Sequence, residues 1–195
     1  MPSPEEDLVA RLRAGDEAAF TKVVSEHHKA LVRLARTFVG SEAAAEEVTQ
    51  ETWVALLDGI DGFEERSSLK TWLFRVLVNR ARTRAKKQGR EVPFDLEDEP
   101  HPDEARFSSA GFWAAGPKPW SETDIDHKRV LAIVRREVDN LPEAQRAVVI
   151  MRDIEGLDAK EVCNVLAIQE THQRVLLHRG RAKLRSLIEK ELGTP

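Results

Sequence analysis

Apolar positions recur at helical spacing along nearly the whole chain. Leu31, Leu34, Ala35 and Phe38 form one stripe, Val48, Thr52, Ala55 and Leu56 a second, and Leu69, Trp72, Leu73, Val76 and Leu77 a third. Steps of three and four are the signature of an amphipathic helix laid against a core, whereas the strict alternation of a strand is essentially absent. The pattern predicts an all-α fold made of two small helical domains joined by an extended linker. The first domain is a bundle over residues 5–90, broken at "VGSE", where Ser41 can cap the next helix, and at the Gly-punctuated loop "DGIDGFEERSS". From Glu91 to Thr123 the periodicity stops, and this stretch holds five of the nine prolines, two clustered glycines and an acidic first half. Phe107, Phe112, Trp113 and Trp120 within it are expected to dock on something, because large aromatic surfaces are costly to leave in water.

The helical pattern resumes over residues 124–193. Pro142 is placed for the first turn of a helix containing "EAQRAVVIMRDIEG", and Gly156 marks its stop. The remainder, "LDAKEVCNVLAIQETHQRVLLHRGRAKLRSLIEKEL", reads as a short helix, a tight turn around Ala167 to Glu170 and a longer basic helix. That order is the helix-turn-helix pattern, which helical hairpins packed only for stability also produce.

Composition narrows the class. The chain has 195 residues, 41% hydrophobic and 33% charged, which argues against wholesale disorder. No apolar run approaches the roughly 20 residues of a membrane span, so membrane insertion is not expected. The start, "MPSPEEDLVARL", is acidic and lacks the positive and apolar segments of a signal peptide, which points to a cytoplasmic protein. A single cysteine, Cys163, can form neither an internal disulfide nor a multi-cysteine zinc site, and reads as a packed small side chain. His27 and His28 are adjacent and point to different helix faces, and His172 and His178 stand at a poor spacing for one metal. With no Gly-rich phosphate loop, nucleophile elbow or His-Glu metalloprotease motif, the expectation is no metal, no cofactor and no enzyme.

Charge is the most informative feature. The formal net charge is −4, yet nine Lys or Arg residues and no Asp or Glu lie between Arg66 and Arg90. A solvated helix face is the plain explanation of such a run. The residues inside it suit a protein that holds a single strand and captures unstacked bases, which calls for aromatic surface, amides and a cationic track. Phe63 and Trp72 offer apolar surface, Asn79 a donor and an acceptor, and Arg75, Arg80, Arg82 and Arg84 can meet phosphates; Trp72 reads equally well as core, since it belongs to the third stripe. On the last helix Arg174 and His178 can reach base edges while Arg179, Arg181, Lys183 and Arg185 reach backbone, with Leu177, Leu184 and Leu187 as core. Glu42, Glu46, Glu47 and Glu51, beside Gln50 and Trp53, form an acidic face open to a basic or polar partner helix or to solvent.

Across both domains the chain resembles the extracytoplasmic-function (ECF) class of bacterial RNA polymerase sigma factors, in the sigma-70 superfamily. "AEEVTQETWVALLDGI" is similar to the family's helix that binds the polymerase clamp, and "FEERSSLKTWLFRVLVNRARTR" to its promoter-melting and −10-reading segment. "LPEAQRAVVIMRDIEGLDAKEV" with "VLLHRGRAKLR" is similar to its −35-reading domain. The resemblance implies an alternative sigma factor that binds core polymerase, recognises −10 and −35 elements, promotes melting and initiation, and leaves the magnesium chemistry to the polymerase. It implies −10 contacts from Phe63, Ser67, Ser68, Lys70, Trp72, Arg75, Asn79, Arg80, Arg82 and Arg84, and −35 contacts from Thr171, His172, Arg174, Val175, His178, Arg179, Arg181 and Lys183. Core polymerase binding is implied for Glu46, Glu47, Gln50, Glu51 and Trp53. The implied partners are the clamp of the largest polymerase subunit, the flap of the second-largest, promoter DNA in double- and single-stranded form, and an anti-sigma protein.

The sequence departs from the family's commonest pattern at Gln173, where a small apolar residue is usual, at Leu176, where a basic one is usual, and at Gly180, where Ala is usual. A mid-helix Gly is expected to cost about 1 kcal/mol relative to Ala. The rival reading is a two-domain transcription regulator that binds duplex DNA by its helix-turn-helix and uses the first bundle for dimerisation or sensing. It leaves the basic, aromatic segment without a task.

Overall fold

The computed structural model describes residues 3–90, 94 and 127–192. The expectations for the linker, including docking of Phe107, Phe112, Trp113 and Trp120, fall outside the described residues. Every regular element among the described residues is helical. The chain divides into two compact units, Met1–Pro93 with Lys160–Ala167, and Phe94–Ala159 with Ile168–Pro195.

The first unit contains α1 (Pro4–Arg13), α2 (Glu17–Phe38), α3 (Glu42–Gly59), a 3-10 turn (Ile60–Gly62) and α4 (Leu69–Lys87). Each α-helix starts on a side chain that accepts from otherwise unpartnered first-turn N–H groups. Ser3 caps α1 in a capping box, its Oγ accepting from Glu6 N at 3.1 Å while the Glu6 carboxylate accepts from Ser3 N at 2.5 Å. Asp16 accepts from Ala18 N at 2.8 Å and Ala19 N at 3.1 Å to start α2. Ser41 caps α3, as its place in "VGSE" suggested, and Ser68 caps α4 by accepting from Thr71 N at 3.1 Å. Helices α2, α3 and α4 pack pairwise, with α1 lying against α2 and the 3-10 turn. Leu31, Leu34 and Phe38 of α2, Val48 and Leu56 of α3, and Leu73, Phe74 and Leu77 of α4 are fully buried between them. Burial of each contributes roughly 1.5–3 kcal/mol, so the three stripes hold the bundle together. Thr49 and Thr52, also buried, donate to the carbonyls of Ala45 and Val48 at 2.8 Å, so their own hydroxyls are met.

The second unit is built from α5 (His127–Asp139), α6 (Glu143–Val149), a π-helical turn (Ile150–Ile154) and α8 (Glu170–Leu192). Pro142 stands as the N-cap of α6, one position before the expected first turn. Helices α5 and α6 both pack on α8, burying Ile133, Val138, Val148, Ile150, Leu177 and Leu184. The π-turn is closed by Glu155 N donating to Ile150 O at 2.9 Å, and Gly156 then reverses the chain at φ +72°.

Gly180 corrects a sequence expectation. A Cβ there would lie 2.7 Å from Val149 Cγ2 and 3.5 Å from Gln145 Cβ, so the missing side chain is what lets α8 approach α6. The propensity cost of the glycine is offset by that contact, and an alanine would gain nothing without a shift of Val149.

Between the Gly156 reversal and α8 comes α7 (Ala159–Leu166), followed by a turn with Ala167 at φ 55°, a left-handed residue where the tight turn was expected. The Cys163 side chain is half-buried.

Candidate nucleic-acid and partner interfaces

The basic run falls almost wholly on α4, and the helix sorts its cations onto different faces. Leu69, Leu73, Phe74, Leu77, Val78, Ala81 and Ala85 turn inward. Arg75, Asn79, Thr83, Lys86 and Lys87 are exposed, and at steps of three and four they form one outward strip with half-buried Trp72 at its amino end. On this strip the Asn79 amide, a donor and an acceptor, stands between the cations Arg75 and Lys86.

Arg80 and Arg84 do not belong to the strip. They face α3, where Arg80 Nη1 lies 3.5 Å from Glu51 Oε2, Arg84 Nη1 lies 3.7 Å from Glu51 Oε1, and Arg84 also pairs with Glu47. Arg82 lies over the Phe38 ring, 5.8 Å from its centroid, and burial pushes its guanidinium pKa down from the ordinary value. Lys70 sits 5.7 Å from the Phe74 ring centroid. Two assignments made from sequence, cations for DNA and carboxylates for a partner, therefore meet in one ion-pair network.

The aromatic residues also differ from expectation. Phe63 offers no open surface: it is 4% exposed, and its ring meets Trp72 edge-on at 5.8 Å between centroids. The 3-10 turn just before it brings the side chain under the loop, leaving Glu64 and Arg66 outside and Ser67 and Ser68 half-buried. Trp53 is likewise packed, 8% exposed and edge-on to Phe20, with its indole N–H donating to His28 Nδ1 at 3.4 Å. An imidazole accepting at Nδ1 carries its proton on Nε2, which lies 3.3 Å from Glu46 Oε2. Trp53 thus holds the acidic face from beneath. Outside, Glu47, Gln50 and Glu51 are flanked by Val54 and Leu57, which are 56% and 58% exposed. These two apolar residues were missed from sequence because they stand out of step with the α3 stripe, and that offset was the available signal.

On α8 the buried side is Gln173, Leu176, Leu177, Gly180, Leu184 and Ile188. All three departures from the family pattern, Gln173, Leu176 and Gly180, thus face inward, as do Leu177 and Leu184, while Leu187 is half-buried. Thr171, Arg174 and Arg181 are exposed, and His172, Val175, His178, Arg179 and Lys183 half-buried. Arg174 reaches Glu170 at 3.4 Å along its own helix. Arg181 forks onto Asp153 at 2.9 and 2.5 Å, a charge-assisted pair that raises its guanidinium pKa and ties α8 to the π-turn. Among the described residues no group of three or more His, Cys, Asp or Glu could hold a metal, and no helix is long and apolar enough to cross a membrane.

Comparison with known proteins defines the class. The family Sigma-70 region 2 matches residues 23–91, and Sigma-70, region 4 matches residues 131–184, together more than half of the chain. The chain belongs to the sigma-70 family of RNA polymerase sigma factors, in its extracytoplasmic-function class. Among individual proteins it is 28% identical over 189 residues to RNA polymerase sigma factor NccH of Alcaligenes xylosoxydans xylosoxydans, covering 96% of each chain. It is 26% identical over 182 residues to the ECF RNA polymerase sigma-E factor of Escherichia coli K12, covering 93% of each. The fold is shared with CnrH solved in complex with the cytosolic domain of CnrY, at a TM-score of 0.60 and 23% identity over 97% of this chain and 99% of that one. It is shared too with sigma factor RpoE solved in complex with the anti-sigma factor NepR from Bartonella quintana, at a TM-score of 0.58 and 22% identity over 87% of this chain and 96% of that one.

Proposed function

We propose that this chain is an alternative sigma factor that binds core RNA polymerase, recognises −10 and −35 promoter elements and promotes melting and initiation. The observation that carries the reading is the outward strip of α4, in which an exposed amide stands among exposed cations on a helix whose reverse side is bundle core. A helix held rigid from behind can take a displaced strand along its open side. In this reading Trp72, Arg75 and Asn79 meet the −10 element, with Ser67, Ser68 and Lys70 at its approach, while Arg174, Val175, His178 and Arg179 read the −35 element from α8. The domains of this reading are residues 5–90 and 124–193, joined by the linker 91–123. Glu47, Gln50, Glu51, Val54 and Leu57 suit a partner helix that brings cations around an apolar centre, a role assigned to the polymerase clamp. The α8 domain is assigned to the flap of the second-largest subunit. Family membership also supports the expectation that the chain itself supplies no catalytic group. Because a relative by fold was solved with an anti-sigma factor, such a protein is a further proposed partner.

The decisive experiment is transcription by core polymerase with this protein on fragmented genomic DNA, with start sites mapped. Starts that need the protein and share two spaced sequence elements are expected. A protein that binds an operator unaided and gives core polymerase no new starts would instead be a duplex-binding regulator.

A further inference from the structure

Helix α1 ends before residue 23, where the matched family region begins, yet it makes directed hydrogen bonds to the loop from Ile60 to Ser68 and to the start of α4. The Arg13 guanidinium spans that loop from below. Its Nε donates to Ile60 O at 3.4 Å, its Nη2 to Phe63 O at 2.5 Å, and its Nη1 to Glu65 Oε1 at 3.0 Å. Three acceptors across six residues are met by one planar group, which a lysine cannot imitate with a single point of charge. The carboxylate it holds belongs to Glu65, whose φ of 55° is a left-handed conformation that side-chain-bearing residues rarely adopt. At the far end of the loop, Glu5 Oε1 accepts from Leu69 N at 2.5 Å and so meets a first-turn N–H of α4 beside the Ser68 cap. Helix α1 is itself fixed by its capping box and by buried Val9 and Leu12.

We propose that Arg13, supported by Glu5, is a positioning residue for promoter recognition: it sets the course of the loop from Ile60 to Ser68 and thereby the −10 sequence preference, without touching DNA. This rests on the initiation reading above. A pocket for an unstacked base discriminates only if its walls are in place before the base arrives. With Phe63 turned inward, the loop has no exposed aromatic anchor of its own, so the brace from α1 supplies that order.

The test uses the full chain with Arg13→Ala, Arg13→Lys and Glu65→Asn, the last keeping tolerance of left-handed φ while removing the carboxylate. Amide exchange at Glu64 to Ser68 is measured in the free protein, and start-site yield over a library of −10 variants at one fixed −35 element is measured with core polymerase. In Arg13→Ala, loop exchange is expected to rise about tenfold with the bundle core unchanged. The spread between best and worst −10 variants should fall about fivefold with core polymerase binding retained. Arg13→Lys should lie between, and carries the test should Arg13→Ala fail to fold; Glu65→Asn should follow in the same direction by less. A folded Arg13 variant with parental −10 preference, or one that loses yield equally on every −10 variant, would overturn the proposal alone. A parent that directs no starts with core polymerase would instead overturn the initiation reading, and this proposal with it.

Discussion

The two cationic helices hold their charge in different ways. On α4, Arg80 and Arg84 reach sideways to Glu47 and Glu51 of α3, so a face assigned to DNA and a face assigned to a partner share one set of ion pairs. On α8, Arg174 and Arg185 reach carboxylates four residues away on the same helix, and Arg181 anchors the helix to Asp153 of the turn beside it. What positions α8 includes a steric contact, that at Gly180, beside the Arg181–Asp153 pair; what conditions the cations of α4 is electrostatic. A basic stretch in a sequence therefore does not describe one kind of surface. The neighbouring helix decides whether its cations stand open or are already answered.

The steric side of this contrast should give the largest effect. Gly180→Val places two methyls where a single Cβ already meets Val149 Cγ2, and is expected to destabilise the second unit by about 3 kcal/mol. Truncating the obstacle with Val149→Ala in the same chain should recover part of the loss, although each change alone destabilises. Chemical denaturation of the parent and the three variants measures this. A Gly180→Val protein as stable as the parent would mean that the approach of α8 to α6 is not set by this contact.

Next comes the reading of bases. Asn79→Ala should change which −10 sequences are used, and Arg174→Ala which −35 sequences, each by about 1–3 kcal/mol of discrimination. Lys183→Ala should weaken all promoters alike. Yields from paired promoter libraries would separate the three, and a uniform loss from all of them would abolish the proposed register on both helices.

The sequence exposed the framework well. The three apolar stripes, the Ser41 cap, the Gly156 stop and the turn at Ala167 depend on residues near one another in the chain, where spacing and side-chain type carry the information. The inward turn of Phe63 was not legible, because it depends on a 3-10 turn that sets the ring edge-on against Trp72. Trp53 was misjudged for a similar reason, since its cover comes from Phe20 and His28 on another helix. Arg13 reaches its acceptors across 47 to 52 residues of sequence, a pairing no local pattern announces. Gly180 read as a weakness until the neighbour that needs its space came into view.

The electrostatic side of the contrast can be tested without polymerase. Glu47→Gln with Glu51→Gln releases Arg80 and Arg84 from α3, and the free protein should bind single-stranded DNA more tightly. The slope of log affinity against log salt should steepen by roughly 1, since about 0.7 counterions are released for each phosphate newly met on a single strand. The change in affinity is expected to be modest, because exposed ion pairs contribute little individually. An unchanged slope would show that the two guanidiniums stay directed away from DNA even when unpaired, and the shared-network account of α4 would fail.

The smallest effect concerns acid, where among the described residues one carboxylate in each unit is held below its ordinary pKa. In the first unit Asp16 is lowered from 3.8, chiefly by the hydrogen bond from Arg11 at 2.8 Å and then by the α2 amides it caps. In the second, Glu137 is lowered from 4.5 by Arg136 at 2.7 Å and then by Asn140 at 3.2 Å. A depressed folded-state pKa means that the unfolded chain takes up its proton first, so the stabilisation is present above the ordinary value and lost as pH falls through the folded one. Both units should therefore weaken on acidification below about pH 4.5, Glu137 beginning to act at higher pH than Asp16. Asp16→Asn preserves the cap, since Asn serves there as well as Asp, and removes the carboxylate's charged pair with Arg11 together with its titration. It should lower Tm slightly at pH 7, converge with the parent in acid and so flatten the fall for the first unit, read by Trp53 and Trp72 fluorescence after Trp113 and Trp120 are replaced by Phe. Glu137→Gln should do the same for the second unit, followed by helical circular dichroism. Because the Asp16 pair is open to solvent, its share should shrink further at high salt, whereas the cap itself should not. A parental acid slope in Asp16→Asn would assign the acid sensitivity of the first unit to other carboxylates and reduce Asp16 to a cap alone.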